Sequence, residues 1–141
     1  MNNNEYQQIL ELLKSMNRLD LVTKQISNRS FEEIKKILLM PEWKEDRFKK
    51  LLTLNIWNSN YEEIKKILLM PEWESEKYKN LLTPTIWCSN YEEIKKILYM
   101  PEWENPKFQK LFTSNVWNSN YEDIKNILSL SEFKEDKFKH L

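Results

Sequence analysis

The sequence predicts an all-α fold, an α-solenoid of either hand made of units of about 30 residues, and three observations carry that expectation. The stretch from Tyr61 to Trp73 returns 30 residues later as Tyr91 to Trp103, altered only at Tyr99, and stands 30 residues earlier from Phe31 to Trp43. Within it, Tyr61, Ile64, Ile67 and Leu68 fall in one sector of a 3.6-residue wheel, with Glu62, Lys65 and Lys66 pointing away. The chain has no glycine and only two valines, so no Asn-Gly or Asp-Gly hairpin can be written and period-2 alternation is absent.

Taken in chain order, the 141 residues read as one repeat domain. Residues 1–30 form a divergent N-terminal cap unit. Asn4 to Met16 reads as a helix with Tyr6, Ile9, Leu10, Leu13 and Met16 on one face, and Asn17 as its stop. Val22, Thr23 and Ile26 stand 30 residues before Leu52, Thr53 and Ile56, a faint copy of the later pattern. Residues 31–60, 61–90 and 91–120 are full repeats; aligning the last two gives 19 identities in 30 positions. Residues 121–141 are a shortened C-terminal unit. Its series positions turn polar, with Asn126, Ser129 and Ser131 replacing lysine, leucine or tyrosine, and proline, as the outer face of a terminal repeat requires.

Each full repeat carries its own punctuation. Asn60 with Glu63 makes a capping-box pattern, repeated as Ser30 with Glu33 and Asn90 with Glu93. Pro71 lacks an N–H and biases Met70 away from helical geometry, so the first helix stops there, as at Pro41 and Pro101. A second helix of roughly eight or nine residues is expected to carry Tyr78, Leu81 and Leu82 on one side. Thr83 followed by Pro84 predicts a cap and first position for one short turn through Trp87. A 30-residue unit cannot bury both sides of its helices, so neighbours are expected to share a core. Two tryptophan ladders supply it: Trp43, Trp73 and Trp103, and Trp57, Trp87 and Trp117.

Composition excludes several functions. Without glycine there is no P-loop, no dinucleotide-binding turn and no nucleophile elbow, each of which needs a residue tolerant of positive φ. One Cys and one His cannot assemble a zinc site of about four ligands. His140, next to the last residue, has no nucleophile near it in sequence, and Cys88 occupies the place of Asn58 and Asn118, a tolerated surface substitution. Lys+Arg 22 against Asp+Glu 22 gives no global field for a polyanion or an anionic membrane. No apolar stretch approaches the ~20 residues of a membrane span. The start lacks the basic and apolar parts of a signal peptide, and a reducing cytoplasm is the expected setting. The expectation is therefore a non-enzymatic protein without cofactor or metal.

Two sets of residues remain as candidates for binding. Lys35, Lys36, Lys65, Lys66, Lys95, Lys96 and Lys125 recur on the first helices, and in a stacked array would form rows able to meet phosphates. The same helices carry acids, however, and Glu62 precedes Lys66 by four residues, the favourable order for an ion pair. The second set is defined by variation between repeats. Leu39, Leu69 and Tyr99 occupy one changing column, on the wheel side away from the Tyr61 stripe, and are expected to face a partner. Further changing columns hold Lys44 to Arg47 with their counterparts, and Leu54-Asn55, Pro84-Thr85 and Ser114-Asn115.

The run Ile64-Lys65-Lys66-Ile67-Leu68-Leu69-Met70-Pro71, followed by a second helix and a short turn, resembles the mitochondrial transcription termination factor repeat. The resemblance implies a curved α-solenoid and nucleic-acid binding along a basic groove, a role that would fall on the lysine rows. The Met-Pro-Glu-Trp and Ile-Trp layout also looks like that of uncharacterised bacterial helical-repeat proteins. The first expectation from the residues is a protein or peptide partner held along an extended surface, with nucleic acid as the alternative.

Overall fold

Capping side chains and prolines set the lengths of the helices. The computed structural model describes residues 1–27 and 29–139, with side chains described for 1–26 and 29–130. The described part is all-helical, without strands. Helix α1 (Asn3–Ser15) opens on a complete capping box: Glu5 N–H donates to Asn2 Oδ1 at 2.8 Å and Asn2 N–H donates to Glu5 Oε1 at 2.9 Å. It ends before Asn17, whose φ of 58° is the left-handed conformation that asparagine tolerates best after glycine. A short α2 (Lys24–Ser27) follows, then α3 (Phe31–Leu38).

Helices α3, α5 (Tyr61–Leu68) and α7 (Tyr91–Leu98) each have eight residues and a side-chain N-cap. Ser30 Oγ accepts from Glu33 N–H at 3.3 Å, and Asn60 and Asn90 accept from Glu63 and Glu93 N–H at 2.9 Å. Met40 and Met100 are extended, as the prolines after them demand.

The expected second helix of eight or nine residues is not found. In its place stand a 3₁₀ turn, Pro41–Lys44, Pro71–Glu74 or Pro101–Glu104, and a four-residue helix, α4 (Asp46–Lys49), α6 (Glu76–Lys79) or α8 (Pro106–Gln109). Glu45, Ser75 and Asn105 between them are extended, with ψ of 131°, 134° and 120°. Ser75 and Asn105 side chains accept from Lys77 and Lys107 N–H at 3.2 and 3.1 Å, so a fresh start competes with continuation. Tryptophan holds the turn: Trp43 and Trp103 Nε1–H donate to the carbonyls of Ile37 and Ile97 at 2.6 and 2.7 Å, a second donor on acceptors that also take Met40 and Met100 N–H at 3.4 and 3.3 Å. Leu81 and Leu82 lie beyond α6 and are buried.

The 3₁₀ turns Leu54–Asn58, Pro84–Cys88 and Ser114–Asn118 complete the pattern. Thr83 precedes Pro84 as expected, but its hydroxyl makes no cap bond and sits 2.9 Å from that of Thr85. The last helix, α9 (Tyr121–Lys139), has 19 residues, because Ser131 keeps the N–H that proline removes in the other repeats. His140 lies outside the described residues.

The chain divides into two compact units, Met1–Pro71 and Glu72–Leu141. In the N-terminal one, α1 packs on α3 and α3 on α5. Leu21, Ile26, Ile34, Ile37, Leu51, Ile56, Ile64 and Ile67 are fully buried there, each burial worth roughly 1.5–3 kcal/mol. Trp57 Nε1–H donates to the Leu21 carbonyl at 3.0 Å. Arg29, standing where later repeats have Ser59, Ser89 and Ser119, donates to the carbonyls of Trp57 and Ser59 at 2.5 and 2.7 Å. The Glu33 carboxylate accepts from Tyr61 N–H at 2.5 Å and so ties α3 to the start of α5, where negative charge suits the helix dipole. In the C-terminal unit α7 packs on α9, and the turns Pro84–Cys88 and Ser114–Asn118 pack together. Trp117 Nε1–H donates to the Leu81 carbonyl at 2.6 Å, and Glu93 accepts from Tyr121 N–H at 2.8 Å. The same contacts thus occur in both units, 60 residues apart in sequence. Trp73 and Trp87 are buried like the other four indoles.

Candidate binding cleft

Because the isoleucine stripe of each eight-residue helix turns inward, the residue just past its end turns out. Leu39, Leu69 and Tyr99 hold that place, and are 56%, 60% and 60% exposed. What surrounds them differs.

In the N-terminal unit Leu39 borders an open cleft of about 500 Å³. Its buried lining is Leu38, Met40, Trp43 and Leu52; Leu12 and Met16 of the α1 end are half-buried. Arg18, Lys44 and Lys49 complete the lining, so three cations and no acid face this apolar space. Arg18 is held in place: its guanidinium grips Asp20 at 3.0 and 3.1 Å and also donates to the Leu52 carbonyl. The guanidinium keeps the Asp20 carboxyl below the usual carboxylate range. Lys44 and Lys49 are exposed and have no ion-pair partner among the described residues. A smaller hollow of about 150 Å³ adjoins it, sharing Leu12 and Leu39 and bordered by Lys35.

Sixty residues on, aromatic rings hold the corresponding positions and pack on one another. Tyr78 stands where Arg18 does, Tyr99 where Leu39 does, Phe112 for Leu52 and Trp103 for Trp43. Their rings form a chain: Tyr99 meets Tyr78 edge-on at 6.4 Å, Tyr78 meets Phe112 edge-on at 6.2 Å, and Phe112 stacks on Trp103 at 4.4 Å. Glu104 and Gln109 replace Lys44 and Lys49. Glu104 is taken up by Lys77, which raises the lysine above its ordinary value. Desolvation, with the Glu72 carboxylate adding to it, raises the Tyr99 hydroxyl.

The seven recurrent lysines are all exposed. Four lie over the ring that opens their own helix: Lys35 over Phe31, Lys65 over Tyr61, Lys95 over Tyr91 and Lys125 over Tyr121, at 5.6, 5.9, 5.3 and 5.7 Å. Lys36 and Lys96 lie over Tyr61 and Tyr121, rings of the following helix, at 5.6 and 5.9 Å. Lys96 pairs with Glu93 at 4.0 Å, one position nearer than the i,i+4 partner expected from the spacing. Cys88 is exposed, and no helix among the described residues is long and apolar enough to cross a membrane.

Of the expected partner-facing residues, Leu39 is joined by side chains the sequence did not single out: Leu12, Met16, Arg18, Lys49 and Leu52. A comparison of positions 60 residues apart carries the missing signal, since rings in one set align with leucines or a cationic side chain in the other. Comparison with protein-family models, characterised proteins and solved structures finds no match to this chain.

Proposed function

We propose that the chain is an α-solenoid interaction module that acts without catalysis, binding a protein or peptide partner along an extended surface. The observation that supports this best is the exposure of Leu39, Leu69 and Tyr99, large apolar side chains just past the ends of helices whose aliphatic residues are buried. Exposed apolar groups placed at a recurring position are contact points for a partner, and aromatic and aliphatic anchors carry most interface energy. Selection of a displayed peptide library on the folded protein tests it. Enriched peptides bind, and lose binding with Leu39→Asp, Leu69→Asp and Tyr99→Asp together; enrichment that ignores this triple variant overturns the proposal.

Nucleic-acid binding is the second reading, favoured by seven exposed lysines and by the resemblance of the repeat. Each phosphate neutralised on duplex DNA predicts a loss of about 0.9 log unit of affinity per decade of salt. A gel shift with mixed DNA and RNA pools, repeated with Lys35, Lys65 and Lys95 changed to Glu, separates the two. Absence of any shift at low salt removes the second reading.

A further inference from the structure

The cleft of the N-terminal unit has a counterpart elsewhere in the same chain that shows what fits it. Arg18, Leu39 and Leu52 border about 500 Å³ of open space, within the ~300–1,000 Å³ of sites that enclose a ligand group. In the C-terminal unit Tyr78, Tyr99 and Phe112 hold those positions, and their rings pack in series down to Trp103. Aromatic rings are therefore the complement of this surface. The charge around the opening specifies the rest. Lys44 and Lys49 are exposed without ion-pair partners among the described residues, whereas Arg18 is balanced by Asp20 and Glu45 is drawn to Arg47 at 3.5 Å.

We infer that this cleft docks an acidic peptide segment of a partner protein, with an aromatic side chain inserted beside Leu39 and flanking carboxylates meeting Lys44 and Lys49. The inference rests on the interaction-module reading and narrows it to one site and one partner chemistry. An inserted ring excludes water from the Trp43 and Leu52 surfaces, while the lysines select against basic segments by repulsion.

The probe is a short fluorescein-labelled peptide with two adjacent phenylalanines flanked by Asp and Glu, read by anisotropy. Two counterparts have the acids replaced by lysine or the phenylalanines by alanine. The acidic aromatic peptide is expected to bind at least about tenfold more tightly than either. Leu39→Tyr with Leu52→Phe supplies the rings from inside and should weaken binding by about tenfold or more while the thermal transition is kept or moves up. Lys44→Glu with Lys49→Gln changes only exposed side chains, so it tests the site even if the first variant misfolds, and should weaken binding and flatten its salt dependence. Equal binding of the basic peptide, binding indifferent to both variants, or no binding of the acidic peptide overturns the inference. Dodecanoate binding in its absence would reassign the cleft to a small amphiphile. Library peptides that depend on Leu69 and Tyr99 but ignore Leu52 and Lys49 would overturn this inference and leave the proposed function standing.

Discussion

The two compact units share a backbone plan and differ in what their side chains leave over. In the C-terminal unit Tyr78, Tyr99, Phe112 and Trp103 fill one another's space; in the N-terminal unit Arg18, Leu39, Leu52 and Trp43 leave a cleft. The framework contacts are unchanged, with Trp57 bonded to Leu21 as Trp117 is to Leu81, and Glu33 to Tyr61 as Glu93 is to Tyr121. A repeat can therefore alter its surface at a few positions without disturbing the hydrogen bonds that fix its turns.

The largest expected effect comes from removing the indoles at the centre of this comparison. Trp103→Ala should cost about 4 kcal/mol and Trp43→Ala about 3 kcal/mol in urea denaturation, because only Trp103 loses a stacked ring as well as its bond to the preceding helix. Equal losses would show that the stack adds nothing to burial.

Exchanging the rings sharpens the contrast. Tyr99→Leu with Phe112→Leu should open a cleft in the C-terminal unit at a loss of about 2 kcal/mol, while Leu39→Tyr with Leu52→Phe should gain about 0.5–1 kcal/mol by filling one. Thermal denaturation of the two double variants checks both signs.

Neutralising the carboxylates that join successive helices comes next. Glu33→Gln and Glu93→Gln should each lose about 1 kcal/mol, with faster amide exchange at Tyr61 and Tyr121 respectively. The Glu33 variant should lose slightly more, since Arg29 also lies 3.9 Å from that carboxylate.

The smallest effect is that of pH, and it distinguishes the units by direction. Lys77 and Tyr99 are raised, so their contribution is complete below about pH 10 and is lost as pH climbs further. Asp20 is lowered, so its contribution is present above about pH 4 and is lost as pH falls. Urea midpoints should fall less on the alkaline side for Tyr99→Phe, and less on the acid side for Asp20→Asn, than for the unaltered chain. These groups are exposed to solvent, which keeps the shifts small.

Much of the local structure is legible from residue order. The caps at Ser30, Asn60 and Asn90, the stop at Asn17, the prolines and the buried isoleucine stripe all obey rules that act over one helical turn. The break in the second helix is not legible in the sequence, because a period that continues past Trp73 says nothing of how the turn is held. The bonds from Trp43 and Trp103 to carbonyls six residues back, with extended residues at 45 and 105, decide it. The exposure of the column at 39, 69 and 99 followed from its place on the wheel, but the cleft beside Leu39 did not.

Residue spacing was enough to establish that the described chain is helical, where its eight-residue helices start and stop, and which of their side chains face inward, because backbone hydrogen bonding and capping are short-range. Whether a surface is open or plugged depended on the fold, because it is the summed volume and charge of Arg18, Leu39, Trp43 and Leu52, side chains distant in sequence that packing brings to one place.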